Sequence, residues 1–105
     1  MAKVSEVFAG IDKEIKADPE KFKTEVDGSY KFVLSGDEPG TWIVDCKDDV
    51  GVTEGDTDAD CVMSLTSEDF VAINDGTLDG MQAFMLGKIQ VEGDMGLAMK
   101  LQTLL

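Results

Sequence analysis

Side chains able to do chemistry are scarce in this chain, and the scarcity is informative. Its 105 residues include no histidine and no arginine. The usual general base, the commonest metal ligand and the bidentate anion clamp are therefore missing. Two cysteines are present, Cys46 and Cys61. A thiol becomes a nucleophile beside a cation or a base, and the cation next to Cys46 in sequence is Lys47. The pair lacks metal-type spacing and is too few for a secreted disulfide framework. Both fall in alternating apolar runs, so buried, reduced, structural thiols are expected.

Asp56, Asp58 and Asp60 alternate as the opening of a calcium-binding EF-hand loop does. That loop requires Gly at its sixth position and a bidentate Glu at its twelfth. Those positions hold Cys61 and Ser67 here, which favours a solvated acidic turn and no metal site. No Gly-rich phosphate loop, nucleophile elbow or paired-carboxylate motif stands out. The chain is expected not to be an enzyme and to need no cofactor.

Charge narrows the partners. Twenty-two acids against nine lysines give a formal net charge of -13. A basic footprint for phosphate backbones is absent, so no nucleic-acid partner is expected. Electrostatic docking on an anionic membrane is disfavoured for the same reason, and the acids read as a solubilising surface. No segment is long and apolar enough to span a bilayer, and no signal peptide opens the chain. An intracellular, cytoplasmic location follows as the expectation; the C-terminal Thr103-Leu104-Leu105 does not match the Ser-Lys-Leu type of peroxisomal address.

What remains is apolar chemistry. Apart from Met1, the methionines are Met63, Met81, Met85, Met95 and Met99. Thioether side chains are flexible and polarizable and suit surfaces that accommodate varied apolar shapes. They could fill an irregular core. Beside the last segment, they favour an interior that accommodates a ligand. After Asp94, a plausible N-cap, Met95, Leu97, Ala98, Met99, Leu101, Leu104 and Leu105 leave few polar interruptions. A surface helix usually shows one apolar stripe roughly 100° wide. This one needs cover on two sides, by the sheet and by a second element, a partner chain or an apolar ligand.

Periodicity along the chain marks the helices and strands that carry these residues. Val4, Val7, Phe8, Ile11 and Ile15 recur at helical spacing over Lys3 to Lys16. Asp18-Pro19 ends that helix, and Phe22 and Val26 suggest a short second one. Alternation marks strands at Tyr30 to Leu34, Thr41 to Cys46, Val50 to Glu54 and Asp60 to Leu65. Thr66 can cap a helix carrying Phe70, Val71 and Ile73, which Gly76 closes. Met81, Phe84 and Met85 imply another short helix ending near Gly87, before a strand with Ile89 and Val91 on one side. Strand runs flanked by helices without a regular βαβ rhythm predict one α+β domain over residues 1–105.

The closing stretch resembles the sterol-carrier-protein-2 (SCP-2-like) lipid-transfer family. The likeness rests on Gln82-Ala83-Phe84 with Gly87-Lys88, then Glu92-Gly93-Asp94-Met95, then Leu97-Ala98-Met99-Lys100-Leu101-Gln102. Upstream, Gly40-Thr41-Trp42 through Asp45 and Ser67-Glu68-Asp69-Phe70 extend it over nearly the whole chain. The resemblance implies a five-stranded sheet covered on one face by helices, with an apolar tunnel between the layers. It also implies a non-catalytic carrier that binds a fatty acid, fatty acyl-CoA, sterol or phospholipid. Ile73, Met81, Phe84, Met85, Met99 and Leu101 are the expected lining, with Trp42 as a further possibility, and Gln82 and Gln102 are the polar groups for a head group. Transient contact with membranes or enzymes and a monomeric state are expected. The competing reading is a protein-interaction module whose apolar terminal helix mediates dimerisation or partner docking.

Overall fold

In the computed structural model, which describes residues 3–100, five strands form one mixed sheet in the order β3-β2-β1-β4-β5. They are β1 (Ser29–Ser35), β2 (Gly40–Asp45), β3 (Gly51–Glu54), β4 (Cys61–Thr66) and β5 (Gln90–Gly93). β1 and β4 run parallel, and the other neighbours pair antiparallel. After β3 the chain crosses to the far side of β1, which leaves β5 to extend the sheet beside β4.

Register puts the apolar residues on one face. Tyr30 lies opposite Val44 and Cys61, Phe32 opposite Trp42 and Met63, and Leu34 opposite Leu65. With a side-chain period of two, these residues share the covered face, while Lys31, Val33 and Ser64 share the other. All of Tyr30, Phe32, Leu34, Val44, Cys61, Met63 and Leu65 are buried.

Helices cover that face. α1 (Val4–Ala17) buries Val4, Val7, Phe8, Ile11 and Ile15, each contributing about 1.5–3 kcal/mol by leaving water. Glu6 reaches back to accept the Lys3 N–H at 3.4 Å, so half of a capping box starts the helix. Pro19 opens α2 (Pro19–Glu25), where its missing N–H costs nothing, and Asp18 caps it by accepting from the Lys21 N–H. α3 (Ser67–Asp75) starts at Thr66, whose hydroxyl accepts the Asp69 N–H at 3.1 Å, and ends at Gly76 in the left-handed region. α4 (Gly80–Met85) and α5 (Met95–Met99) are capped by Asp79 and Asp94, whose carboxylates accept the first free N–H groups of each helix. The architecture is the expected α+β arrangement of a five-stranded sheet with helices over one face.

The middle of the core is aromatic. Phe8 stacks on Trp42 and on Phe70, each at 4.6 Å between centroids, and Phe32 meets both Phe8 and Phe70. Trp42 therefore joins α1 to the sheet and takes no part in lining the apolar space at the other end. Ile73 likewise packs half-buried against the core, beneath Gly80.

Element limits differ slightly from those read in the sequence. Cys46 lies one residue beyond β2, and Lys88 and Ile89 precede β5. The terminal helix expected to run toward Leu105 is α5 over Met95–Met99, and Leu101, Gln102, Leu104 and Leu105 lie outside the described residues.

Candidate functional site

An apolar cavity lies where the sheet's β4–β5 end meets α4 and α5. Met63 forms its floor from β4, with buried Ile89 beside it. Gly80, Met81 and Phe84 form the α4 wall, and Met95, Ala98 and Met99 form the α5 wall. Among the described residues, no charged or hydrogen-bonding side chain faces it. Its volume is about 40 Å³, well below the roughly 300–1,000 Å³ that small-molecule sites enclose. The apolar space between the layers is thus narrow and closed down by its own walls.

Those walls are built to give way. Met81, Phe84, Met95 and Met99 line the cavity and are also 38–63% exposed. Three of the four are methionines, each with three rotatable bonds and a polarizable sulfur. The helices that carry them have six and five residues, too short to hold their shape without tertiary contacts. An entering apolar chain can swing these side chains aside and gain the contacts that the narrow space now lacks.

Of the residues the sequence singled out, Met81, Phe84 and Met99 come together here. Met85 turns outward and is 80% exposed, one turn past Met81 and beyond the cavity edge. Gln82 is exposed on α4 and does not reach the cavity, so it offers no head-group contact inside it. Ile73 and Trp42 belong to the core. Leu101 and Gln102 lie outside the described residues. Met63, Gly80, Ile89, Met95 and Ala98 complete the lining without having been singled out for it. Met63 carried a usable signal, since strand alternation places it on the covered face, and Met95 with Met99 formed an i, i+4 pair. Gly80 carried none.

Polar interactions hold α5 against the sheet. The buried Tyr30 hydroxyl donates to the Leu97 carbonyl, and the Asp94 N–H donates to the Asp60 carbonyl at 2.9 Å. The Lys100 ammonium donates to the Val26 carbonyl at 3.3 Å. Leu97 packs over Gly28, where a Cβ would meet its methyl groups at 2.6 Å. Gly93, which turns the chain from β5 into α5, has a φ of +90° and sits against the Asp60 carbonyl.

The titratable groups nearby are set against chemistry. Burial pushes the Cys46 and Cys61 thiols up to about 11, assisted by the negative charges of Asp45 for the first and of Asp94 and Asp60 for the second. Burial also raises the Tyr30 phenol far above its ordinary value. All three are held in their neutral forms near pH 7, as structural groups require. Elsewhere, a polar cleft of about 400 Å³ includes Asp45, Asp48, Asp49, Asp58 and Asp60. Its acids tie loops: Asp45 accepts the Lys47, Asp48 and Asp49 N–H groups, and Asp60 accepts the Ser29 N–H. Among the described residues no group of three His, Cys, Asp or Glu side chains is placed to hold a metal ion, and no helix is long and apolar enough to cross a membrane.

Known proteins share both sequence and fold. Hydroxysteroid dehydrogenase-like protein 2 from Xenopus laevis is 42% identical over 105 residues, which cover 97% of this chain and 24% of that protein. The chain thus spans about a quarter of that relative's length. Sterol carrier protein 2 like 2 from Aedes aegypti superposes with a TM-score of 0.82 at 30% identity, covering 97% of this chain and 95% of that one. Sterol carrier protein 2 from Aedes aegypti in complex with palmitate gives 0.77 at 29% identity, covering 98% and 94%. Residues 8–105 match the SCP-2 sterol transfer family, and the chain belongs to that family.

Proposed function

We propose that this chain is a non-catalytic lipid carrier, one binding domain over residues 1–105, which takes an apolar tail between α4, α5 and the β4–β5 end of the sheet. The observation that carries this reading is a cavity whose lining, among the described residues, is wholly apolar, with four partly exposed side chains of which three are flexible methionines. A related structure of the same fold is a complex with palmitate, which supports the same ligand class here. Fatty acid, fatty acyl-CoA, sterol and phospholipid tails all fit the chemistry of the lining. Gain on binding scales with the methylenes withdrawn from water, at about 0.8 kcal/mol each, and release to a membrane or enzyme returns them to an equivalent environment. Catalysis is not part of the proposal: among the described residues the lining holds no acid, base or nucleophile, and both thiols are buried and neutral.

Met81, Phe84 and Met99 would grip the tail together with Met63, Ile89, Met95 and Ala98. The head group, with no polar partner among the described lining residues, would stay at the mouth. Displacement of a fluorescent fatty acid by long-chain competitors tests the reading. Micromolar or tighter binding, about 8 kcal/mol, is the expected result, with lipid adducts in native mass spectra of the freshly purified protein. Absence of adducts together with failure of fatty acids, acyl-CoA and sterols to bind would rule the carrier out. A tight dimer devoid of lipid would instead favour the interaction module.

A further inference from the structure

A lipid has two ends, and the cavity offers partners to only one of them. Its lining among the described residues is apolar, so a head group must find its partners at the mouth. An anionic head, a carboxylate or a phosphate, is ordinarily held by arginine, lysine, an amide or free backbone N–H groups. Around this cavity those donors are absent, turned away or already engaged.

The chain contains no arginine and no histidine, and none of its nine lysines lines the cavity. Lys88 lies with Val33, Ser64 and Gln90 in a cleft on the uncovered face of the sheet, opposite to buried Ile89. The Lys100 ammonium donates to the Val26 carbonyl at 3.3 Å. Gln82 is exposed and outside the lining.

Both helix starts beside the cavity are closed as well. Asp79, directly before the lining residue Gly80, accepts the Met81 N–H at 2.9 Å. Asp94, directly before the lining residue Met95, accepts the Gly96 N–H at 2.8 Å. Where backbone N–H groups could favour an anion, the protein has set its own carboxylates. The whole chain carries -13 within extents of 31 × 27 × 25 Å. At low salt, where the Debye length is about 30 Å, the mouth feels that entire field. An uncharged head group needs none of these donors and meets no repulsion.

Resting on the carrier reading above, we propose that this site selects its lipid by head-group charge. Long apolar ligands ending in an uncharged hydroxyl or ester bind best, carboxylates bind less well, and the multiply charged coenzyme A thioesters bind least. The tail supplies the affinity in all three. Asp79, Asp94 and the acidic surface around them supply the discrimination.

Calorimetric titration of the full chain with dodecanol, laurate and lauroyl-CoA, which share one tail, tests this at about 10 mM and about 500 mM salt. At low salt dodecanol binds about tenfold or more tighter than laurate, and laurate tighter than lauroyl-CoA. High salt narrows both gaps. Met85→Lys puts a cation beside the mouth, at a position 80% exposed and outside the lining. It tightens laurate several-fold and lauroyl-CoA more, while dodecanol affinity and melting temperature stay near wild type. Asp79→Asn combined with Asp94→Asn keeps both helix caps, removes two negative charges and acts in the same direction. Laurate or lauroyl-CoA binding as tightly as dodecanol overturns the selection and leaves the carrier standing. A gap that salt and these variants leave unchanged also overturns it, because the gap then belongs to the ligands' own partition from water. Binding of none of the three sinks the carrier reading itself.

Discussion

Tyr30 in the sheet and Leu97 in the last helix are 67 residues apart in sequence and share a buried hydrogen bond from phenol to backbone carbonyl. The same carbonyl also accepts the Lys100 N–H at 3.0 Å. The phenol is therefore an added tie between α5 and the sheet, and α5 carries one wall of the cavity. Removing the hydroxyl leaves the carbonyl still paired, so the fold should survive.

Tyr30→Phe should lose about 1 kcal/mol of stability and release bound fatty acid several-fold faster, with the equilibrium affinity changed less than the rate. Stopped-flow displacement beside a denaturant titration measures both. Unchanged dissociation would show that the tie does not govern movement of α5.

Met99→Asp should fold, because Met99 is 63% exposed, yet a tail seated beside the carboxylate would have to desolvate it without a partner. A loss of fatty-acid affinity of at least about tenfold is expected. Ala98→Leu, which fills the narrow space from the α5 side, should weaken binding in the same direction. Wild-type affinity in both variants would place the ligand elsewhere.

Strand alternation made the covered face of the sheet legible in sequence, because Tyr30, Phe32, Leu34, Cys61, Met63 and Leu65 follow the pleat without exception. The caps at Thr66, Asp79 and Asp94 were equally readable, since each is a short polar side chain before an apolar run. The cavity lining was less so. α4 has six residues, too few for a helical stripe to separate Phe84, which lines the space, from Met85, which leaves it. The face of Trp42 is occupied by Phe8, a stacking partner from a helix distant in sequence, which alternation within β2 does not reveal. The contribution of Gly80 depends on how α4 sits over Ile73, which is a tertiary fact.

Gly93→Ala should be among the costlier single changes, by roughly 2 kcal/mol or more. A Cβ there would sit 2.4 Å from the Asp60 carbonyl oxygen, at a φ of +90° that L-residues rarely adopt. Thermal or urea unfolding reads the effect, and a loss below about 0.5 kcal/mol would mean that the β5–α5 joint relaxes freely.

Cys46 and Cys61 flank β1 on opposite sides, Cys61 opposite Tyr30 and Cys46 bonded through its N–H to the Gly28 carbonyl. Two strand spacings separate them by roughly 9–10 Å, beyond the reach of a disulfide. No Cys46–Cys61 bridge should form in the folded protein, and both thiols should react slowly with a water-soluble reagent. Their raised pKa values contribute stability that is complete below the unfolded thiol value of about 8.5. That contribution is lost as pH rises from there to about 11, so the melting temperature should fall across this range. Replacing both with alanine should flatten part of the fall. A flat profile in wild type, or a bridge found by mass spectrometry, would contradict the burial of these thiols.

On the carrier reading, withdrawal of an apolar tail into the α4–α5 cavity supplies the binding energy. Calorimetric titration with saturated fatty acids of increasing chain length tests it most directly. Each added methylene that enters the cavity should tighten binding by about fourfold, the equivalent of 0.8 kcal/mol, until the tail outgrows the space its walls can open. Affinity that is independent of chain length, or no binding at any length, would contradict it.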